Sequence, residues 1–329
     1  MKQLKHFKII EKTYLWFALS LIFMLIGLGL MGFRFINQQP ILNFGIDFTG
    51  GTNILLKIDA LSNEYTLAKS TNQSIGSINS NMIKKIRAIL EKDGFNKSTI
   101  QITGDKEIVI RTTILTKEAR EKLITALKGN LGNLEILESD TIGPSFGSEL
   151  REKSLWILIL IFAALMLYIT WRFEFSFGMG ALISLVHDAI AILCFASIFF
   201  IEIDTNFVAA ILTILGYSIN DTIVVFDRIR ENFKENKKDN FITLVNISIY
   251  QTFSRTINTV VTVLLVLASL MIFGGTTIKS FIIVLFFGVV IGTYSSIFIA
   301  ASSMVLFHNS ALKQTAAKSV LSNTKKKKI

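Results

Sequence analysis

Asp221 is a carboxylate set inside a long apolar run, in the stretch Gly216–Asn232, GYSINDTIVVFDRIREN. Two other ionisable positions share this setting: His187-Asp188, within a second apolar run, and Arg255, just before a third. Such groups cost several kcal/mol in a spanning segment unless they are paired or hydrated, which makes them functional candidates by default. At about 1.5 Å rise per residue, Asp221 lies about 22 Å past Asn206 and Arg255 about 27 Å before Phe273. The two charges share a depth if the helix carrying Arg255 starts before it. Burial favours the neutral acid and a neighbouring arginine favours the carboxylate, so such a site is poised to exchange a proton. The alternative is a structural ion pair that locks two helices. For His187-Asp188 the two readings are a polar helix–helix contact and a step in a proton path. Asp227, Arg228, Arg230 and Glu231, which follow the Asp221 run, read as a solvated interfacial loop.

The elements that must position these groups are spanning helices, each needing about 20 mostly apolar residues. Six are expected, over 14–36, 154–171, 177–201, 207–226, 257–273 and 281–307. Residues 227–256 are expected to form a loop and 308–329 a basic tail. The first segment is too long for a signal-peptide core and lacks a small-residue cleavage site, so it is expected to stay as an anchor. Gly288, Gly292, Ser296 and Ala300 recur every fourth residue along the sixth span and read as a helix-packing stripe. Gly178 and Gly180 have a similar character in the third.

Composition agrees. Of 329 residues, 51% are hydrophobic and only 18% charged, with 27 phenylalanines and 2 prolines. Soluble domains carry about a quarter charged residues. The net charge of +10 fits basic membrane-flanking loops, and no basic-aromatic pattern indicates nucleic acid. Cys194 is the single cysteine, so no intrachain disulfide forms. His6, His187 and His308 lack metal-ligand spacing. No P-loop and no nucleophile–base constellation is present, so neither an enzyme nor a cofactor is expected.

Lysine and arginine in the short flanks set the orientation. They crowd before the first span, between the fourth and fifth, and after the sixth, where Lys325–Lys328 form a topogenic or lipid-surface tail. IEIDTN (Ile201–Asn206) has none and GGTTIKS (Gly274–Ser280) only Lys279. Both termini are therefore expected in the cytoplasm, and the insert 37–153 outside. Within it, strands are expected at 52–58, 98–103, 107–112 and 134–142, with a turn at Gly104-Asp105. Helices are expected at 75–92, with Ile83, Ile86, Ile89 and Leu90 on one face, and at 116–128, capped by Thr116 with Glu118 and Arg120 exposed. The order β-α-β-β-α-β matches a ferredoxin-like domain. The fold class is thus an α-helical polytopic membrane protein of six spans with a ferredoxin-like α+β periplasmic domain after the first.

Three stretches together resemble the SecF branch of the SecD/SecF family of protein-export membrane proteins, related to the resistance-nodulation-division superfamily. They are FGIDFTGGTNILLKI (Phe44–Ile58), with Gly45, Asp47, Gly50 and Gly51; VHD (Val186–Asp188); and GYSINDTIVVFDRIREN, with Gly216 and Asn220. The resemblance covers nearly the whole chain. It implies a bacterial inner-membrane subunit that works with SecD, the SecYEG channel and YajC on a translocating preprotein, in contact with membrane lipid. It further implies that the proton-motive force drives export after the SecA stage. In that family the aspartate of the GYSxND stretch and a downstream arginine take part in proton conduction. These map onto Asp221 and, through QTFSRT (Gln251–Thr256), onto Arg255. Alternatives are a half-transporter exporting small molecules or lipids, and a non-conducting structural subunit of the channel.

Overall fold

The computed structural model describes residues 8–59, 61, 64–65, 75–96, 98–102, 107–235, 240–274 and 278–308. The chain divides into two compact units, Met1–Asn43 with Trp156–Ile329, and Phe44–Leu155.

The second unit holds a four-stranded sheet: β1 (Gly51–Ile58), β2 (Thr99–Ile102), β3 (Glu107–Thr112) and β4 (Leu134–Ile142). Its order is β2-β3-β1-β4, and every neighbouring pair is antiparallel. Helix α2 (Ile75–Lys92) joins β1 to β2, and α3 (Lys117–Leu131) joins β3 to β4. Each helix therefore connects two strands that run parallel with one strand between them, in the element order expected from the sequence. Alternation along β1 turns Ile54, Leu56 and Ile58 inward, against Met82, Ile86 and Leu123 of the helices. Each such side chain contributes about 1.5–3 kcal/mol on burial. Along α2 the inward face is led by Ile78, Met82, Ile86 and Leu90, with Ile83 and Ile89 at its margin. The Thr116 hydroxyl accepts from the Ala119 N–H at 3.3 Å and caps α3. The Glu118 backbone N–H, with the Thr116 hydroxyl, holds the Glu118 carboxyl below the usual carboxylate range. Arg120 is half-buried rather than exposed, because its guanidinium donates to Ser139 Oγ at 3.3 Å. The expected turn at Gly104-Asp105 lies outside the described residues, as does Lys325–Lys328.

Gly50 and Gly51 make a sharp entry into β1, at φ 70° and 136°. A Cβ on Gly51 would sit 2.6 Å from the Thr112 carbonyl oxygen, and one on Gly50 would sit 2.9 Å from Pro144 Cα. Gly147 closes the same knot, its Cβ position lying 2.9 Å from the Gly50 nitrogen. The short helix Ile46–Thr49, capped at Gly45 and carrying a half-buried Asp47, leads into this turn. The glycines are thus required by backbone geometry. Gly51→Ala combines a left-handed φ with a backbone collision, and we expect a loss of about 3 kcal/mol. Urea unfolding of the full chain in detergent, followed through protease sensitivity of the sheet unit, measures it.

The first unit is helical: α1 (Thr13–Ile36), the later part of α4 (Pro144–Arg172), α5 (Phe175–Ile198), α6 (Thr205–Glu235), α7 (Phe241–Phe273) and α8 (Lys279–His308). Among the described residues these six helices are long and apolar enough to cross a membrane. Helices α5, α6 and α8 form the packed centre, each burying half or more of its apolar window, whereas α1 and α4 bury only 6%. Leu160, Leu167 and Trp171 on α4, and Leu25 and Phe33 on α1, are exposed, as lipid-facing side chains are.

Two boundaries differ from expectation. Residues 227–256, expected as a loop, are largely helical: α6 continues to Glu235, and α7 begins at Phe241, where Asn240 Oδ1 accepts from the Ile242 N–H at 2.9 Å. The hydropathy falls at Asp227, but the helix does not, because arginine, glutamate and lysine are good helix formers. At about 1.5 Å per residue α6 is about 46 Å long, well beyond a hydrocarbon core of about 30 Å. Similarly, α4 starts at Pro144 rather than at 154, since proline suits the first helical position.

Candidate functional site

The four-residue stripe of α8 makes the site possible. Gly288 lets Ile214 of α6 come within 2.1 Å of where a Cβ would stand, and at Gly292 the corresponding neighbour is Ser218 Cβ at 3.1 Å. On the other side, a Cβ on Gly180 of α5 would stand 2.7 Å from the Ala300 carbonyl oxygen. Gly178 has a looser fit, its Cβ position lying 3.8 Å from Thr170 Oγ1. Between these contacts α8 loosens into a π-helical turn, Ser295–Ala300. Such bulges rotate side chains out of register and recur at functional sites. Here the turn carries Ser295 and Ser296 inward, both fully buried.

Asp188 lies at the centre of a saturated network. Its Oδ2 accepts from Ser218 Oγ of α6 at 2.6 Å and from Ser295 Oγ of α8 at 2.8 Å. Its Oδ1 is 3.0 Å from His187 Nδ1, and the other ring nitrogen, Nε2, is 2.9 Å from Ser20 Oγ of α1. Ser184 donates to Ser295 Oγ at 3.0 Å, and Tyr294 donates to the Trp16 carbonyl at 2.7 Å. Four helices are tied to one carboxylate with no exposed surface.

Asp221 has a different environment. It is 7% exposed, and its Oδ1 accepts from Thr256 Oγ1 of α7 at 2.8 Å. Its Oδ2 is buried without a hydrogen-bond partner among the described residues. Arg255 does not close this gap: it is exposed, beside Thr256, and lines a cleft between α6 and α7. The nearby ion pairs are Arg172–Asp227 at 3.3 Å and Arg228–Glu231 at 2.5 Å. Because α7 starts well before Arg255, the sequence condition for a shared depth is met, but the group bonded to Asp221 is the adjacent threonine. Thr222, next to Asp221, donates to Ser296 Oγ at 2.8 Å, and Ser296 donates to the Ser218 carbonyl at 3.0 Å. The surroundings of both acids are therefore linked through α8.

Other sequence candidates fall elsewhere. Gly216 and Asn220 lie on an exposed face of α6, and Arg230 is half-buried. Asp227, Arg228 and Glu231 are helical and line the cleft with Gln251, Thr252 and Val224. Gly45, Asp47, Gly50 and Gly51 belong to the sheet unit. Ser20, Ser184, Ser218, Thr256 and Ser295 were missed by sequence reasoning, and Ser296 was read only as a packing residue. Serine and threonine are common in spanning helices, so only their spacing from the acids hinted at them: Ser218 stands one turn before Asp221, and Thr256 adjoins Arg255. His6 lies outside the described residues, His308 stacks on Phe241 at 4.1 Å, and no metal-binding cluster occurs among the described residues.

Residues 122–310 match the family described as "Protein export membrane protein SecD/SecF, C-terminal", and residues 42–60 match the "SecD/SecF GG Motif". The chain belongs to the SecD/SecF family. Among SecD/SecF relatives, the protein translocase subunit SecF of Rickettsia akari is 39% identical over 273 residues, covering 81% of this chain and 82% of that one. The SecF subunit of Desulfurispirillum indicum is 39% identical over 299 residues, covering 88% of this chain and 87% of its own. A crystal structure of a translocon-associated SecDF from Thermus superposes with a TM-score of 0.77 at 31% identity and covers 91% of this chain. A SecDF in a super-membrane-facing form gives 0.64 over 95%. The chain spans about two fifths of those SecDF chains, 38% and 40%. The SecD/SecF GG match falls on the glycine knot at the entry to β1, and the C-terminal match takes in both buried acids.

Proposed function

We propose that this chain is a SecF-type subunit of the accessory complex of the Sec protein translocase, coupling proton entry to preprotein export through SecYEG after the SecA-dependent stage. The observation that carries the reading is the open oxygen of Asp221. A buried carboxylate with one donor and one free oxygen is a place for a proton to arrive and leave; one with partners on both oxygens is a structural tie. Protonating Oδ2 weakens the carboxylate's hold on Thr256 and its attraction to Arg255, which frees α7 to shift against α6. One proton falling through about 150 mV supplies roughly 3.5 kcal/mol, enough to bias such a two-state element.

A SecD-type partner completes the site. Thr213, Gly216 and Asn220 form one exposed stripe of α6, and Ser254, Arg255, Asn258 and Thr262 one of α7. Asn220, Arg255 and Asn258 have no side-chain hydrogen bond among the described residues. Lipid cannot satisfy such groups, so polar helices of a partner suit this face better. The matching SecDF chains are more than twice as long, which leaves room for a SecD half. In this reading the sheet unit is a ferredoxin-like domain on the periplasmic side of the inner membrane, both termini are cytoplasmic, and the chain catalyses no reaction. Copurification from membranes in mild detergent tests the assignment. Recovery of SecD and SecYEG with the tagged chain is the expected result. Recovery of neither, with the chain folded, removes the export reading.

A further inference from the structure

The Asp221 reading leaves unused a cleft between the charged ends of α6 and α7. It has a volume of about 840 Å3 and is lined by Val224, Asp227, Arg228 and Glu231 of α6 and by Gln251, Thr252 and Arg255 of α7. Its inner end comes within one helical turn of the Asp221–Thr256 hydrogen bond on both helices. Val224 is one turn from Asp221, Thr252 is one turn from Thr256, and Arg255 adjoins Thr256. Water occupies a cavity that is roomy and offers several polar partners, and this one offers six. Most of the charge around the cleft is paired. Arg228 is held by Glu231 at 2.5 Å and donates to Gln251 Oε1 at 2.6 Å, while Asp227 faces Arg172 of α4 at 3.3 Å. Arg255, at the inner end, has no counter-charge within ion-pair distance among the described residues, and its charge is felt by the Asp221 carboxylate. Asn232 fixes the outer end, donating to Ser248 Oγ at 2.7 Å and to Gln251 Oε1 at 2.8 Å, which props α6 and α7 in place around the opening.

From this arrangement we propose that the α6–α7 cleft is the hydrated path by which the Asp221 proton is released, with Asp227 and Glu231 as the first bases it meets. The proposal rests on the proton-coupled reading of Asp221 and adds its exit. The Asp221 O–H bond breaks and its proton passes to a cleft water. That water passes a proton to the carboxylate of Asp227 or Glu231, and from there it reaches the bulk. Asp221 is left as a carboxylate held by Thr256. The Arg255 charge at the inner end disfavours a hydronium resting there, so the proton moves outward to the acids and not back. The groups that face the path are Asp221, Asp227, Arg228 and Glu231 on α6, Arg255 on α7 and Arg172 on α4.

The test uses the full chain co-reconstituted with its SecD-type partner in liposomes, with proton flux read by an entrapped pH dye. A membrane-impermeant maleimide is added to one side at a time on Val224→Cys, the native Cys194 being buried and serving as background. Labelling only from the side of the α6–α7 connection, with flux falling about tenfold once labelled, is expected. The Asp227→Asn/Glu231→Gln pair should lower flux by about 100-fold, the low end for a lost proton-transfer group, and millimolar imidazole buffer should restore it. A packing defect would not be rescued by buffer. Absence of labelling from both sides, labelling from the opposite side, or full flux in the paired variant overturns the cleft. Asp221→Asn is measured alongside. If it conducts at full rate, the underlying reading falls and the cleft with it; if it is silent while the paired variant conducts normally, the cleft alone is wrong.

Discussion

Asp221→Asn is expected to stop gradient-driven export while leaving the protein folded. The amide has the size of the carboxyl, and its carbonyl oxygen still accepts from Thr256, so stability should change by no more than about 1 kcal/mol. The amide nitrogen takes the position of Oδ2, which has no partner to lose. What disappears is the ability to gain and release a proton. Loss of a proton-transfer group costs about 100-fold or more in rate, so proton flux through the complex should fall to background and secretion to the level sustained by ATP alone. The measurement is paired: proton uptake by proteoliposomes, and export of a preprotein into membrane vesicles with and without an imposed gradient. Melting of the detergent-solubilised variant supplies the control for folding. Full gradient-dependent export in Asp221→Asn would remove the coupling mechanism and leave the helix pair as scaffolding.

Much of this was legible from hydropathy and periodicity. The spans appear because a run of about 20 apolar side chains has one physical use, and the sheet unit appears because Ile54, Leu56 and Ile58 alternate while Ile83, Ile86, Ile89 and Leu90 recur at helical spacing, although the buried face is turned toward Ile78, Met82, Ile86 and Leu90. The continuation of α6 and α7 beyond the membrane was not legible. Hydropathy reports solvent, not backbone conformation, and Asp227–Glu235 leaves the lipid without leaving the helix. The threonine partner of Asp221 was missed for a related reason. Charge complementarity singles out Arg255, but the rotation of α7 turns Thr256 inward and Arg255 to the cleft, and a rotation of about 100° per residue separates the two. The two acids also looked alike in the sequence. Their difference lies in what neighbouring helices bring, above all the serines of the π-helical turn in α8, whose register no α-helical periodicity anticipates.

That difference makes opposite demands on substitutions at Asp188. Its carboxylate is the common acceptor for His187, Ser218 and Ser295, at a position with no exposed surface. Asp188→Ala removes the acceptor and leaves three buried polar groups with poor alternatives, at about 1–3 kcal/mol each before relaxation. A net loss of about 3–5 kcal/mol is expected, comparable to breaking a buried charged network. Asp188→Asn behaves otherwise. Its carbonyl oxygen accepts from both serines, and its amide donates to His187 Nδ1 once the ring adopts the tautomer protonated on Nε2, which then donates to Ser20. The Asn variant should therefore melt within about 1 kcal/mol of the parent and retain most of its gradient-dependent export, whereas Ala should fall apart at the α1–α5–α8 contact. Tryptophan fluorescence reads that contact directly, because Trp16 accepts from Tyr294 through its carbonyl and its ring lies 4.2 Å from Phe298. If Asp188→Asn silences proton flux as Asp221→Asn does, Asp188 belongs to the conduction path. If Asp188→Ala melts with the parent, the four-helix tie contributes nothing. The saturated geometry around one acid and the open oxygen on the other predict neither outcome.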